Sequence, residues 1–198
     1  MKIKMELVFA TNNQHKIEEI QSLLGNDFVV KGLKDIGCDV DIPETANTFE
    51  GNALQKAQFV YEHYKVPCFS DDTGLEIEAL NGEPGVYSAR YAGEEKNSEK
   101  NMQKVLEKLQ GVTNRQAQFR TVIAYVDGKN NYFFEGIVRG TILDHKRGDK
   151  GFGYDPIFVP EGRTETFAEL DMAVKNSMSH RGRGMEKFIA FFNQNLKK

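Results

Sequence analysis

Residues 3–25 read IKMELVFATNNQHKIEEIQSLLG, and a change of period inside them decides the fold class. Ile3, Met5, Leu7 and Phe9 alternate with Lys4, Glu6 and Val8. That two-residue repeat is the pattern of a strand with one buried face. From Gln14 on the repeat lengthens: Ile17, Ile20, Leu23 and Leu24 recur at helical spacing, and Gly25 follows as a stop. Thr11 with Gln14 has the form of a capping box, which sets the helix start in the turn between them. The opening is therefore strand, polar turn, helix.

Working outward, a second helix is expected over about 48–64. Asn47 and Glu50 can form a capping box there, and Ala53, Ala57, Val60 and Tyr64 line one face. VPCFS (66–70) reads as a strand, DDTG (71–74) as a turn and LEIEAL (75–80) as an alternating strand closed by NGEPG. A third helix covers roughly 98–110, with Met102, Val105, Leu106 and Leu109 inward and Gly111 at its end. The stretch 116–142 reads as two long strands turning at DGKN, IFV (157–159) as a further strand, and 181–195 as a last helix. Strands beside helices with a hairpin between them predict an α/β fold with a mixed sheet.

Composition limits the function classes. A chain of 198 residues with 39% hydrophobic and 28% charged residues suits one well-cored soluble domain or two closely merged lobes. A net charge of −3 argues against a general nucleic-acid binder, so any polyanion must be met by a local cluster of cations. Cys38 and Cys68 are too few and too far apart for a zinc site or a disulfide framework. No apolar run approaches membrane-spanning length, and the N-terminal strand turns polar too soon for a signal peptide, so a cytoplasmic protein is expected.

Four stretches could carry chemistry. Thr11-Asn12-Asn13-Gln14-His15-Lys16 leads into a helix N-terminus, where unpaired N–H groups and the positive dipole end suit an anion, with Lys16 in the first turn. It lacks the glycines of a Walker loop and, taken alone, reads rather as an ordinary capped helix with a solvated lysine. Ser70-Asp71-Asp72-Thr73-Gly74 sets two carboxylates side by side, costly unless a cation or a proton compensates. One of them with Glu44, in the loop DIPETANTF, could hold Mg²⁺, which takes one or two carboxylates plus water and phosphate oxygens. A polar turn capped by both aspartates explains the same residues as well. Gly151-Phe152-Gly153-Tyr154-Asp155-Pro156 is a flexible loop with aromatic faces suited to a planar ring, or else a turn beside core aromatics. NSMSHRGRG (176–184) reads as a short RNA-binding tail, a solvated basic turn, or a ligand clamp presenting His180 and Arg181.

Their combination is more specific than any one of them. The blocks ATNNQHK, ETANTFEGNALQKA, SDDTGLEIEALNGEPGVYSARYAG, GFGYDPIF, FAEL and KNSMSHRGRG occur in an order, over residues 10 to about 184, that resembles the inosine triphosphate pyrophosphatase family. The resemblance implies an elongated two-lobed α/β fold with a long mixed β-sheet and a central substrate cleft, one domain over 1–198, and a homodimer. It implies Mg²⁺-dependent hydrolysis of deaminated purine nucleoside triphosphates to the monophosphate and pyrophosphate. Carried over by position, Thr11, Asn12, Asn13, Gln14, His15, Lys16 and Lys56 correspond to the triphosphate cradle. Glu44 and Asp72 correspond to metal ligands, Asp72 also to the general base, and Thr73 replaces a serine that contacts substrate. Phe152, Gly153, Tyr154, Asp155, Lys175, His180 and Arg181 correspond to nucleotide and base contacts, the last two reading the purine edge. Gly51 stands where many members have an acid, and Arg183 corresponds to no contact. Two other readings stand beside this one. A Maf-type pyrophosphatase would act on other nucleotides, and the SHR and GFGYDP blocks speak against it. An RNA-binding module would use the basic C-terminal stretch. The leading reading expects a purine nucleotide as partner and neither nucleic acid nor membrane.

Overall fold

The computed structural model describes residues 5–195. Its elements are β1 (Met5–Phe9), α1 (Gln14–Leu24), β2 (Phe28–Lys31), α2 (Phe49–Tyr64), β3 (Cys68–Ile77), α3 (Ser98–Lys108), β4 (Gln116–Val126), β5 (Asn131–Ile142), β6 (Phe158–Pro160), α4 (Met172–Met178) and α5 (His180–Asn195). The strands form a six-stranded sheet in the order β2-β1-β3-β4-β5-β6. β1 is parallel to both neighbours, with Val8 opposite Lys31 on one side and Cys68 on the other. β6 runs antiparallel to β5, Val159 facing Thr141. The sheet is therefore mixed and the fold α/β, as the change of period predicts.

The β4–β5 hairpin forms where DGKN places it, and Asp127 Oδ1 closes the turn by accepting from the N–H groups of Lys129 and Asn130 at 2.8 and 2.7 Å. Other local expectations change. DDTG is not a turn, because β3 runs unbroken from Cys68 to Ile77. Two acids and a glycine look turn-forming in sequence, but a strand tolerates buried carboxylates when cations reach them, and cations do here. The N-cap of α1 is Asn13, whose Oδ1 accepts from Lys16 N–H at 3.3 Å, while Thr11 Oγ1 accepts from Asn13 N–H at 3.1 Å. Thr48, not Asn47, caps α2, accepting from Gly51 N–H at 3.1 Å. β2 and α4 are short and carry no clear period in sequence. Ile3 and Lys4 lie outside the described residues.

The chain divides into two compact units. Among the described residues the first comprises 5–72, 121–136 and 181–195. One of its cores joins Phe9, Ile20, Phe69, Ile123, Met185 and Phe188, with Phe9 and Phe69 stacked at 4.6 Å. The other joins Val8, Leu33, Ala57, Val60 and Val126 with the free, buried Cys38 and Cys68. The second unit comprises 73–120 and 137–180. Its core gathers Leu75, Ile77, Val105, Leu109, Phe119, Ile142, Ile157, Phe158 and Phe167. Among the described residues no helix is long and apolar enough to cross a membrane.

Candidate active site

In the first unit α1, α2 and β3, with Arg181 of α5, bring charged and polar groups together. α1 supplies Lys16 and Glu19, α2 supplies Asn52 and Lys56, and the C-terminal part of β3 within this unit supplies Asp71 and Asp72. Successive strand residues point to opposite sides, and the two aspartates accordingly take different partners. Asp71 is engaged by Lys16 Nζ at 2.7 Å on Oδ1 and by Arg181 Nε at 3.2 Å on Oδ2. Asp72 accepts from Asn52 Nδ2 at 3.0 Å. Lys56 ties both regions together: its Nζ donates to the Asp71 carbonyl oxygen at 2.7 Å and pairs with the Glu44 carboxylate.

The electrostatics separate the two aspartates. Burial alone would raise Asp71, but Lys16, then Arg181 and Lys56, hold it far below the usual carboxylate range. Asp72 moves the other way: burial pushes it up and the nearby Glu44 adds to this, against the opposing pull of Lys56, Lys16 and the Asn52 hydrogen bond. Burial would lower Lys56, yet Glu44, Asp72 and Asp71 hold it above its ordinary value. Lys16 is lowered, chiefly by burial, with Lys56 and Arg181 adding to this against Asp71. One aspartate is thus a fixed anion, and the other is the more basic carboxylate of the pair.

The rest of the 11–16 turn lies toward solvent. Asn12, Asn13, Gln14 and His15 are exposed, and Thr11 and Lys16 are half-buried. Gln14 donates to Glu18 at 3.1 Å. The basic C-terminal stretch is not a tail: His180 onward is α5, Arg181 is 1% exposed, and Arg183 faces solvent. A Cβ on Gly184 would lie 3.2 Å from Ile123 and 3.3 Å from Thr121, so the glycine lets α5 approach β4 closely. Arg181, expected at a purine's edge, directs Nε to Asp71 and Nη1 to Glu19.

The second unit holds the remaining expected residues. Asp155 Oδ2 accepts from Lys175 Nζ at 2.7 Å and from Phe152 N–H at 2.9 Å, closing the loop on itself. Gly151 has φ +73°, and a Cβ there would run into the Asp155 carboxylate at 2.1 Å, so the loop requires glycine. Lys175 Nζ sits 5.0 Å from the Phe152 ring centroid, a cation against an aromatic face. Tyr154 is buried, and its hydroxyl donates to the Ser88 carbonyl at 2.7 Å. The His180 ring stacks on Phe119 at 4.8 Å. Lys175, Tyr154, Asp155 and His180 are all buried, while Phe152, Gly153 and Thr73 are half-buried. The loop thus presents Phe152 on a buried polar base.

Sequence reasoning missed Asn52 and Glu19. Asn52 stands four residues before Lys56, one helical turn away on the same face, which was a usable signal. Glu19 stands three residues after Lys16, but a glutamate inside an amphipathic helix reads as a surface residue. Among the described residues no three His, Cys, Asp or Glu side chains gather as a self-sufficient metal site.

Such a fold, with lysines and paired acids inside a strand beside a helix N-terminus, belongs to an α/β protein equipped to take up a polyanion. The comparisons with known proteins make this specific. Residues 7–191 match the model of the Ham1 family, and the chain belongs to that family. It is 55% identical to the dITP/XTP pyrophosphatase of Flavobacterium johnsoniae over 93% of this chain and 96% of that protein. Its identity to the Caldanaerobacter subterraneus dITP/XTP pyrophosphatase is 43%, over 97% of this chain and 98% of that one. The solved structure of the Staphylococcus aureus Ham1 protein superposes with a TM-score of 0.87 at 42% identity, covering 96% of this chain and 98% of that chain.

Proposed function

We propose that this chain hydrolyses deaminated purine nucleoside triphosphates (ITP, dITP and XTP) to the monophosphate and pyrophosphate, removing them from the nucleotide pool. The observation that carries the reading is the set of Lys16, Lys56, Asp71, Asp72 and Glu44 in the first unit, in which Lys56, Asp71 and Asp72 are buried and Lys16 and Glu44 half-buried. Hydrolysis at the α-phosphorus builds negative charge on departing pyrophosphate. In this reading Lys16 and Lys56 neutralise it, with backbone N–H groups in the first turn of α1 as further donors.

Asp72 is the proposed general base. Its carboxyl is raised by burial and by Glu44, so it accepts a proton from water more readily than an ordinary aspartate. Asp71, held far down by its cations, is an unsuitable base and serves to orient them. Glu44 and Asp72 also fit a divalent cation: they are two carboxylates near enough that each disfavours the other's charge, and a cation relieves that. Glu44 and Asp72 would hold Mg²⁺ with the substrate's own phosphate oxygens completing the set. Bound there, it supplies charge neutralisation on the phosphates.

For the base, the Phe152 ring provides a flat face, with Lys175 and Asp155 fixing its loop. Hypoxanthine and xanthine present an O6 acceptor where adenine presents an N6 donor. Backbone N–H groups of Gly153 and Tyr154, with His180, are the proposed donors to O6. Adenine would leave them facing another donor, a penalty able to reject it by roughly 10⁴-fold. Arg181 is assigned to the phosphate end, through Asp71. A homodimer in the cytoplasm completes the proposal.

The test is pyrophosphate release from ITP, XTP, ATP and GTP, with Mg²⁺ and with EDTA. The expected result is rapid, Mg²⁺-dependent pyrophosphate release from ITP and XTP with little from ATP. Orthophosphate as the product, or equal turnover of ATP and ITP, would overturn the reading.

A further inference from the structure

We infer that Glu19 is a positioning residue: by holding Arg181 against Asp71, it fixes where Lys16 is presented to a polyphosphate. The inference rests on the proposed function only in taking polyphosphate as the ligand. The four residues form a closed ring of contacts. Glu19 on α1 pairs with Arg181 Nη1, and Arg181 Nε donates to Asp71 Oδ2 at 3.2 Å. Asp71 Oδ1 accepts from Lys16 Nζ at 2.7 Å, and Lys16 returns the ring to α1, three residues ahead of Glu19. Two acids and two cations balance, so the ring is neutral as it stands.

A buried ion pair is weak evidence for stability, since removing both charges from water offsets most of their attraction. What this arrangement supplies is direction. A guanidinium is a rigid planar fork. With Nη1 on Glu19 and Nε on Asp71, its plane is set, and that plane sets the Asp71 carboxylate. The other oxygen of Asp71 then sets Lys16 Nζ. The side chains of Glu19, Arg181 and Asp71 are 5%, 2% and 2% exposed, whereas that of Lys16 is 16% exposed. The ring therefore opens outward at Lys16 alone. Glu19 contacts Arg181 and acts through it.

The experiment uses the full chain, with Glu19→Gln and Glu19→Asp, and measures calorimetric binding of inorganic tripolyphosphate beside steady-state ITP hydrolysis. Glu19→Gln should weaken tripolyphosphate binding about tenfold and raise KM for ITP by a similar factor, with kcat within about threefold of wild type. Glu19→Asp keeps the charge and should recover most of the loss. On a Lys16→Ala background Glu19→Gln should add less than about twofold, since the residue it positions is gone. If Glu19→Gln does not fold, Arg181→Lys carries the test: it keeps the charge, loses the fork and should raise KM in the same way. A lowered melting temperature with unchanged KM and tripolyphosphate binding would reduce Glu19 to a structural role and overturn the inference, as would full additivity with Lys16→Ala. A wild-type chain that binds tripolyphosphate but does not turn over ITP would sink the proposed function and leave this inference standing.

Discussion

The ammonium of Lys56 lies 2.7 Å from the carbonyl oxygen of Asp71, so the cation is anchored to the backbone of the strand that carries Asp72. The same nitrogen pairs with Glu44, from the loop before α2. A single side chain thereby holds a strand, a helix and a loop in register around Asp72. In the protein's charge balance it also offsets the repulsion between Glu44 and Asp72.

Lys56→Ala should therefore act on binding first. KM for ITP is expected to rise at least about tenfold, the loss of one charge-assisted contact to a phosphate being worth roughly 1.5–3 kcal/mol. With Lys56 gone, Glu44 and Asp72 repel each other uncompensated, and the Mg²⁺ dependence of binding should steepen. Steady-state kinetics at varied Mg²⁺ checks both, and an unchanged KM would mean that Lys56 serves the fold alone.

Asp72→Asn should abolish turnover while the fold survives. Amide and carboxylate are nearly isosteric, and the Asn52 Nδ2 donor can still meet an oxygen at position 72. The sign of the stability effect follows from the direction of the shift. A carboxyl whose folded pKa is raised destabilises the native state once pH exceeds its unfolded value of about 3.9. Removing that charge should leave the melting temperature in EDTA at pH 7 equal or higher. Calorimetry beside the activity assay checks this, and a variant with near-wild-type turnover would remove Asp72 from the chemistry.

Asp71→Asn makes the opposite case. Asp71 is depressed, so its stabilisation is fully present above about pH 3.9 and fades as pH falls below that toward its folded value. At pH 7 the variant leaves Lys16 and Arg181 with one fewer buried anion, a loss of about 3–5 kcal/mol. The gap between wild type and Asp71→Asn in urea unfolding should narrow steadily below pH 4. A gap independent of pH would show that the loss comes from packing and not from charge.

The contrast between the two aspartates marks what the sequence could and could not disclose. The strand–turn–helix opening and the 116–142 hairpin were legible because period and turn residues are local properties. The continuity of β3 through SDDTG was not, because it depends on cations 55 and 110 positions away reaching Asp71. Asp71 and Asp72 are chemically identical in sequence; cations from α1, α2 and α5 make Asp71 a fixed anion, while burial and Glu44 make Asp72 the more basic carboxylate. Arg181 illustrates the same limit. A basic, glycine-rich stretch reads as exposed, and its burial becomes visible only once Glu19 and Asp71 are in place.

Phe152→Ala tests the base end separately from the phosphate end. The ring faces Lys175 at 5.0 Å and belongs to a loop closed by the bond from its own N–H to Asp155. Alanine keeps that backbone bond, so the loop should hold and only the aromatic face should go. Stacking of a base on an aromatic side chain is worth roughly 1–3 kcal/mol, so KM for ITP should rise about 5- to 150-fold. Inorganic tripolyphosphate has no base, and its binding should not change. If both ligands weaken equally, the loop supports the phosphate end instead; if neither weakens, Phe152 is not the platform for the base.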